Sequence, residues 1–294
     1  VFFKHVFRRV SFGVQDYSEI VQKAIHRIQS FEQVLRVSKE AKDMGYISVS
    51  HDLIYGLPLQ TLADIENTVQ KTLAIRPERI SLYSYAHVPW MKGNGQRGFN
   101  DSDLPMPELK RTQYEKAKQL FLEAGYVQIG MDHFALPTDA LALAFKEGSL
   151  HRNFMGYTHQ YTRVLLGLGM SSISDSWSAF AQNEKHLEAY TDLVQQGILP
   201  VSKGHILSKE DQNLRKHITH IMCQFLTRWE QPFEGLDTIL ALLKPLEEDG
   251  LVALHPNGLV VTPKGQPFVR NVCMAFDARL QANKPDTQLF SMTV

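Results

Sequence analysis

An acidic side chain inside an apolar strand is the clearest candidate for chemistry in this sequence. Asp52 lies in the β-rich run Tyr46–Ile54, next to Leu53 and Ile54, so the strand around it is predicted to be buried. A buried carboxylate needs a hydrogen-bonding partner or a ligand, and βα-barrel proteins bind ligands at the C-terminal ends of their strands. The pattern therefore favours a functional Asp52 over a solvated carboxylate on an edge strand.

Three further polar residues lie in, at the end of, or just after predicted strands and helices. Gln15 comes directly after the apolar strand Val10–Val14, which is the same arrangement as that of Asp52. Arg27 is equally consistent with a solvated helix residue and with a ligand contact. His133 ends a predicted strand, and a hydrogen-bonded structural histidine is the simpler interpretation of it.

The remaining motifs do not support a nucleotide, nucleophile or metal site. Gly93–Gly98 matches the dinucleotide fingerprint, but the residues after it cannot begin the helix that the chemistry requires, so we predict a surface loop. The two cysteines, Cys223 and Cys273, are too few for a disulfide framework or a thiolate metal site. We assign no metal ligand in this chain, and free thiols fit a reducing cytoplasm.

Composition indicates a soluble globular protein of about two domains. The chain has 294 residues, of which 44% are apolar, and its 31 Lys and Arg balance 31 Asp and Glu. The apolar fraction excludes a disordered chain. The zero formal net charge excludes a protein that binds nucleic acid through a broadly basic surface. No apolar run reaches the roughly 18 residues that a membrane span needs, so we expect a soluble protein, and the free thiols favour a cytoplasmic location.

Alternating strand and helix patterns up to about residue 175 predict an α/β fold with a parallel sheet. Capping boxes at Ser30 with Gln33 and at Thr61 with Asp64 begin two of the helices. Tyr126–Asp132 is predicted as one strand of this sheet.

A stretch rich in Gly, Pro and Ser at 197–208 indicates a domain boundary. Beyond it the pattern predicts a helix from Ser208 to Trp229, a second helix, a hairpin at Asn257-Gly258 with a type I′ turn, and a last helix from Gln266 to Leu280. This order resembles a winged helix and raises DNA binding as an alternative, although the second helix offers only Lys244 as a basic side chain.

Six ordered blocks carry a family resemblance. They are Ser11–Asp16, Asp52–Pro58, Tyr85–Pro89, Gly130–Ala135, His151–Tyr157 and Arg270–Asp277. Together they resemble the oxygen-independent coproporphyrinogen III oxidases, which are radical S-adenosylmethionine (SAM) enzymes of haem biosynthesis. The similarity runs in order from about residue 7 to the C-terminus.

The resemblance implies a fold, cofactors and site residues. The fold is the C-terminal part of an incomplete radical SAM β/α barrel (1–200), followed by a winged-helix-like C-terminal helical domain with a β-hairpin wing (201–294). The cofactors are a [4Fe–4S] cluster and two SAM molecules. Gln15, Arg27 and Asp52 match positions that contact the cluster-bound molecule. Ala86 and Ile173 match positions that line the second one.

The resemblance also implies the chemistry and the partners. In the family, a reduced cluster cleaves SAM to a radical that takes hydrogen from a propionate of coproporphyrinogen III, and the propionate then loses CO₂ to become vinyl. Two propionates react, and protoporphyrinogen IX forms. An electron donor for the cluster is implied, with no nucleic acid or membrane partner and a monomeric full-length enzyme.

The departure from the family pattern that matters most for activity concerns the cluster ligands. The family holds its cluster with a Cys-x₃-Cys-x₂-Cys run, and this sequence contains no such run. We therefore expect the chain as given to be inactive, with an N-terminal truncation as the explanation. The alternative function is that of a haem-binding or chaperone-like relative without oxidase activity.

Overall fold

Strands and helices alternate along the first part of the chain, as the sequence predicts. A computed structural model describes residues 8–88 and 99–282. Up to Lys146 they form one compact unit, with these elements in chain order: β1 (Arg9–Gln15), α1 (Glu19–Ala24), α2 (Phe31–Asp43), β2 (Ser48–Tyr55), α3 (Leu62–Ile75), β3 (Arg79–Ser84), α4 (Pro107–Glu123), β4 (Val127–Ile129), β5 (His133–Ala135) and α5 (Ala140–Glu147). The predicted glycine-rich loop Gly93–Gly98 lies outside the described residues.

Local signals set the starts of α2 and α3. The Ser30 hydroxyl accepts a hydrogen bond from Gln33 N at 3.2 Å, and the Thr61 hydroxyl accepts one from Asp64 N at 3.2 Å. In both helices the side chain of the third residue also accepts from the capping backbone N–H. Both predicted capping boxes are confirmed, because a reciprocal pair three residues apart satisfies two otherwise unpaired N–H groups.

The first unit has a five-stranded sheet in the order β1-β2-β3-β5-β4. The predicted parallel pairing holds for β1, β2 and β3, whereas β5 runs antiparallel to both β3 and β4. The single strand predicted over Tyr126–Asp132 is wrong. Gly130 has a φ of 58°, which reverses the chain, so His133 begins a new strand instead of ending the old one.

The two faces of this sheet differ in burial. In β2, Val49, His51 and Leu53 are buried, whereas Ser50 and Asp52 are only partly buried. Successive side chains of a strand point to opposite faces, so Asp52 lies on the face away from the core. The buried face packs against α3 and α4, with these side chains in one cluster: Val14, Leu53, Ile65, Val69, Ile80, Leu82, Ala117, Phe121 and Phe134.

The second compact unit covers Glu147 to Asn283. Its elements in chain order are β6 (His151–Asn153), β7 (Gly156–Thr158), β8 (Ile173–Asp175), β9 (Ala179–Asn183), α6 (Leu187–Gln195), β10 (Val201–Ile206), α7 (Lys209–Gln224), β11 (Leu226–Arg228), α8 (Leu236–Glu248), β12 (Val252–His255), β13 (Gly258–Val261), α9 (Val269–Met274) and α10 (Ala278–Ala282). Sheets of order β10-β9-β8 and β11-β13-β12 and the pair β6-β7 form among them.

The compact units of the structure divide after Lys146, whereas the composition shift predicts a domain boundary at 197–208. Val201–Ile206 is strand β10, which pairs antiparallel with β9. These hydrogen bonds join the residues on either side of position 200, so part of the stretch rich in Gly, Pro and Ser forms an edge strand. The assignment of the two parts to a barrel and a C-terminal domain stays a prediction.

Two predicted helices of the second unit are shorter than expected. The helix that begins at Ser208 ends at Gln224 instead of continuing to Trp229. Phe225 adopts a left-handed φ of 58°, and its carbonyl accepts from Val261 N at 2.7 Å, so the chain leaves the helix to join β13. The predicted last helix is broken into a 3₁₀ turn (Gln266–Phe268) and the short helices α9 and α10.

The predicted hairpin forms, but its turn is not of type I′. His255 pairs with Gly258, and neither Asn257 nor Gly258 has a positive φ, which that turn type requires. Gly258 is needed for another reason. A Cβ atom there would lie 2.4 Å from Thr227 O on the neighbouring strand β11. The glycine therefore permits the close approach of two strands.

We expect Gly258→Val to destabilise the second unit. The added side chain must displace the backbone of β11, and overpacking of this kind costs roughly 1–3 kcal/mol. Thermal unfolding followed by circular dichroism measures the loss as a lower melting temperature. Val260→Thr, at a residue that is 41% exposed in the same strand, is the control and should melt like the wild type. Equal melting temperatures for Gly258→Val and the wild type would contradict this account.

None of the helices in the described ranges combines the length and the apolarity that crossing a bilayer requires.

Candidate functional site at the ends of the parallel strands

Asp52 and Gly13 are direct neighbours across the parallel strands β1 and β2. Asp52 Oδ2 accepts a hydrogen bond of 2.7 Å from the Ser11 hydroxyl. Among the described residues no hydrogen bond to Asp52 Oδ1 is found, so that oxygen can accept from a ligand hydroxyl. A carboxylate accepts up to about four hydrogen bonds, and one partner leaves most of this capacity open.

Gln15 and Arg27 converge on the same glycine. A Cβ atom at Gly13 would lie 2.7 Å from Gln15 Nε2 and 2.9 Å from Arg27 Nη2. Arg27 Nη2 also donates to Gly13 O at 2.8 Å. Gln15 ends β1 at a register irregularity and has a φ of 63°, which redirects its side chain. Three of the five predicted site residues thus meet around Gly13.

A glutamine pair holds the loop that carries Arg27. Gln22, only 4% exposed, donates from Nε2 to Asp16 O and to Gln29 O, both at 2.8 Å. Gln29 Nε2 in turn donates to Val14 O at 2.9 Å. These bonds tie the loop to the end of β1, so the position of Arg27 is fixed by residues on both sides of it.

A second buried network joins the ends of β1 and β2 to α4. Gln60 Nε2 donates to Asp16 Oδ2 at 2.7 Å and to Ile54 O at 2.9 Å. Gln113 Nε2 donates to Gln60 O at 2.9 Å, and Gln113 Oε1 accepts from Gly56 N at 3.1 Å. Fully paired networks of this kind make strand ends rigid.

Asp16 is the charged member of this network. Burial raises its pKa to about 6, although hydrogen bonds from Ser18 N and Gln60 act in the opposite direction. The sequence interpretation missed Asp16, Gln60 and Gln113 as supports of the site. Asp16 and Gln60 lie close to the polar ends of β1 and β2 in the chain, which is the only local signal they carry.

The remaining predicted residues belong to different compact units, and each is described within its own. Ala86 is exposed and follows β3, where Tyr85 N donates to Tyr55 O at 2.8 Å. Ile173 begins β8, is partly buried and pairs with Gln182. Their assignment to a second cofactor molecule stays a prediction.

His133 fits the structural role that the sequence favoured. It is buried at the start of β5, and its Nδ1 lies 2.6 Å from Asp132 Oδ1. Its ring also contacts Tyr83 edge to face, with 5.8 Å between the ring centroids.

Comparison with known proteins finds relatives that share one name. Residues 2–72 match the Radical SAM superfamily. An oxygen-independent coproporphyrinogen III oxidase from Synechocystis is 40% identical over 300 residues, which covers 98% of this chain and 64% of that protein. An Escherichia coli protein with the same name is 38% identical over 98% of this chain and 64% of its own length. Both relatives carry the name oxygen-independent coproporphyrinogen III oxidase, and this chain is similar to them over nearly its whole length.

The fold is similar to that of a solved structure. The solved structure of Escherichia coli coproporphyrinogen III oxidase, described as a radical SAM enzyme, superposes with a TM-score of 0.88 at 38% identity. The match covers 94% of this chain and 65% of that one. The mixed α/β fold predicted from the sequence is confirmed. The chain spans about 64% of the length of the curated relatives it matches.

The match of residues 2–72 to the Radical SAM superfamily implies SAM and a [4Fe–4S] cluster as cofactors. The side chains around Gly13 fit SAM, because Asp52 offers an acceptor for hydroxyl groups, Arg27 a cation for a carboxylate and Gln15 neutral donors. The lack of a side chain at Gly13 lets the Gln15 amide and the Arg27 guanidinium approach the strand closely. The fit to SAM rests on the hydrogen-bonding groups and charges of these three side chains.

The residues of this chain do not fit the cluster. Iron–sulfur clusters are held by sets of Cys thiolates, and the sequence has only two cysteines. Cys223 and Cys273 are both buried on helices of the second unit, where burial raises the pKa of each thiol to about 12. In the described part of the chain, no group of three His, Cys, Asp or Glu side chains is placed to hold a metal ion.

Proposed function

We propose that this chain provides the SAM-binding and substrate-binding part of an oxygen-independent coproporphyrinogen III oxidase. The reaction is the oxidative decarboxylation of two propionates of coproporphyrinogen III to vinyl groups in haem biosynthesis, with an external electron donor. The convergence of Gln15, Arg27 and Asp52 around Gly13 carries the proposal. The family resemblance matches the same three residues to the cluster-bound SAM molecule.

Each residue has a distinct role in the proposed site. Asp52 accepts from ribose hydroxyls through its open oxygen, while Ser11 holds the other oxygen in place. Arg27 pairs with the methionyl carboxylate, and its bond to Gly13 O fixes its direction. Gln15 donates to the polar edge of the ligand. When bound, SAM supplies the hydrogen-abstracting chemistry, and the protein positions it and excludes water.

The second SAM molecule is part of the same proposal. It rests on the family resemblance of Ala86 and of Ile173 alone, and neither side chain carries a polar atom. A single molecule bound per chain, measured by calorimetry, would restrict the proposal to the site around Gly13.

Replacement of Asp52 tests the proposal directly. Asp52→Ala should weaken the affinity for S-adenosyl-L-homocysteine by about ten- to a hundredfold, because hydrogen bonds to a charged group contribute roughly 1.5–3 kcal/mol. The melting temperature should stay unchanged, since the Ser11 hydroxyl that loses its partner is exposed to water. Isothermal titration calorimetry measures the affinity.

Asp43→Ala is the matched control, because Asp43 is exposed at the end of α2 and lies outside the site. It should bind like the wild type. An Asp52→Ala variant that binds S-adenosyl-L-homocysteine as tightly as the wild type would refute the assignment of Asp52.

A further inference from the structure

Lys110 places a partly buried ammonium group at the same edge of the sheet. It lies in the first turn of α4, and its Nζ donates to Tyr85 O at 2.9 Å, directly after β3. Its aliphatic stem packs on Gly56, which follows β2. A Cβ atom at Gly56 would lie 2.6 Å from Lys110 Cε. The ammonium group is therefore held in contact with the chain just beyond the ends of two neighbouring parallel strands.

The charge of Lys110 has no counter-ion in the described part of the chain. The bond to Tyr85 O is its one hydrogen bond there, and no Asp or Glu oxygen lies within ion-pair distance. Burial lowers its pKa. A cation that is partly withdrawn from water without a counter-ion costs free energy, which an apolar side chain of the same length would not. Lys116, nearly two turns further along α4, shows the usual arrangement, with Glu66 at 3.3 Å.

A lysine ammonium has three donors, and Tyr85 O uses one of them. The first turn of a helix adds a partial positive charge from its unpaired N–H groups. Both features favour an anion at this position. Groups whose pKa is shifted by burial are more frequent at functional sites than elsewhere.

We propose that Lys110 binds a carboxylate group of a ligand at the ends of β2 and β3. This inference rests on the proposed function, whose two ligands both carry carboxylates: the propionates of the porphyrinogen and the methionyl group of SAM. It assigns a recognition role to a residue that touches ligand and takes no part in the chemistry.

Two ligand titrations of the purified chain distinguish the sources of the carboxylate. Coproporphyrin III, the stable oxidised form of the substrate, is followed by fluorescence, and S-adenosyl-L-homocysteine by calorimetry. Lys110→Met should weaken the binding of one of them by about ten- to a hundredfold, the range expected for a charge-assisted hydrogen bond. Lys116→Met on the same helix is the control and should leave both affinities unchanged.

The melting temperature separates ligand recognition from a structural role. Removal of a partly buried charge that has no counter-ion should offset the loss of the hydrogen bond to Tyr85 O, so the melting temperature of Lys110→Met should be unchanged or higher. A lower melting temperature with both affinities unchanged would show a structural clamp and overturn the proposal. If the melting temperature and the ligand affinity of Lys110→Met both fall, Lys110→Arg distinguishes ligand recognition from a structural role, because it keeps the positive charge. Retained affinity supports the proposal, and an equal loss overturns it.

Failure of the proposed function gives a different result. A wild-type chain that binds neither ligand would contradict the proposed function and the role of Lys110 together. A wild-type chain that binds both ligands, with affinities that Lys110→Met does not change, would overturn the role of Lys110 alone.

Discussion

Anaerobic reconstitution of this chain with iron and sulfide is expected to yield no [4Fe–4S] cluster. A cluster needs several thiolates close together, and Cys223 and Cys273 are the only cysteines in the sequence. Burial raises the pKa of both thiols to about 12, so they stay protonated at neutral pH. Without a cluster no electron can reach SAM, and the chain by itself should form no vinyl product from coproporphyrinogen III.

Iron analysis and visible absorption spectra measure the outcome. The Escherichia coli relative, reconstituted in parallel, is the positive control for the procedure. Cys223→Ser and Cys273→Ser should leave the trace amount of bound iron unchanged. Stoichiometric iron that disappears in either variant, or vinyl product above a control without protein, would show that this chain does build a cluster.

Acidification is expected to destabilise both compact units through two buried histidines. Burial lowers the pKa of His51 and of His217 from 6.5 to about 4. The folded state therefore prefers the neutral ring, and the stability that this provides is complete above pH 6.5 and is lost as the pH falls toward 4. Each pKa shift corresponds to a loss of up to about 3 kcal/mol in the free energy of unfolding.

The surroundings of the two rings explain this preference. His51 Nε2 lies 2.9 Å from the Ser38 hydroxyl, and its Nδ1 has no hydrogen-bond partner among the described residues. His217 Nδ1 lies 2.7 Å from the Thr227 hydroxyl, and its ring stacks on Phe233 with 5.0 Å between the centroids. Neither ring has an anion among these contacts that could stabilise a positive charge.

Urea unfolding at about pH 7.5 and at about pH 4.5 measures the effect. The free energy of unfolding should fall between these values in the wild type and fall less in His51→Gln and in His217→Gln, because glutamine does not titrate. Exposed His186→Gln is the control and should behave like the wild type. A wild-type-like loss of stability in both buried-site variants would contradict the assignment.

Sequence alone determined those features of this protein whose causes lie within a few residues. The capping boxes at Ser30 and Thr61 formed as predicted, because a side chain and an N–H group three residues apart meet whenever a helix begins. Asp52 and Gln15 were recognised because a polar residue in or just after an apolar strand is visible in the pattern itself. The six family blocks likewise needed no structure.

Tertiary structure decided everything that depends on partners distant in the chain. Gln60 and Asp16 are 44 positions apart, and Gln113 and Gln60 are 53 apart, so no local pattern could show that they form one network. Helix α7 ends early because Phe225 pairs with Val261, and the antiparallel course of β5 follows the turn at Gly130. Lys110 looked like an ordinary helix residue in the sequence. Only packing withdraws its ammonium group from water without supplying a counter-ion, because burial is a property of the whole fold and not of the residue.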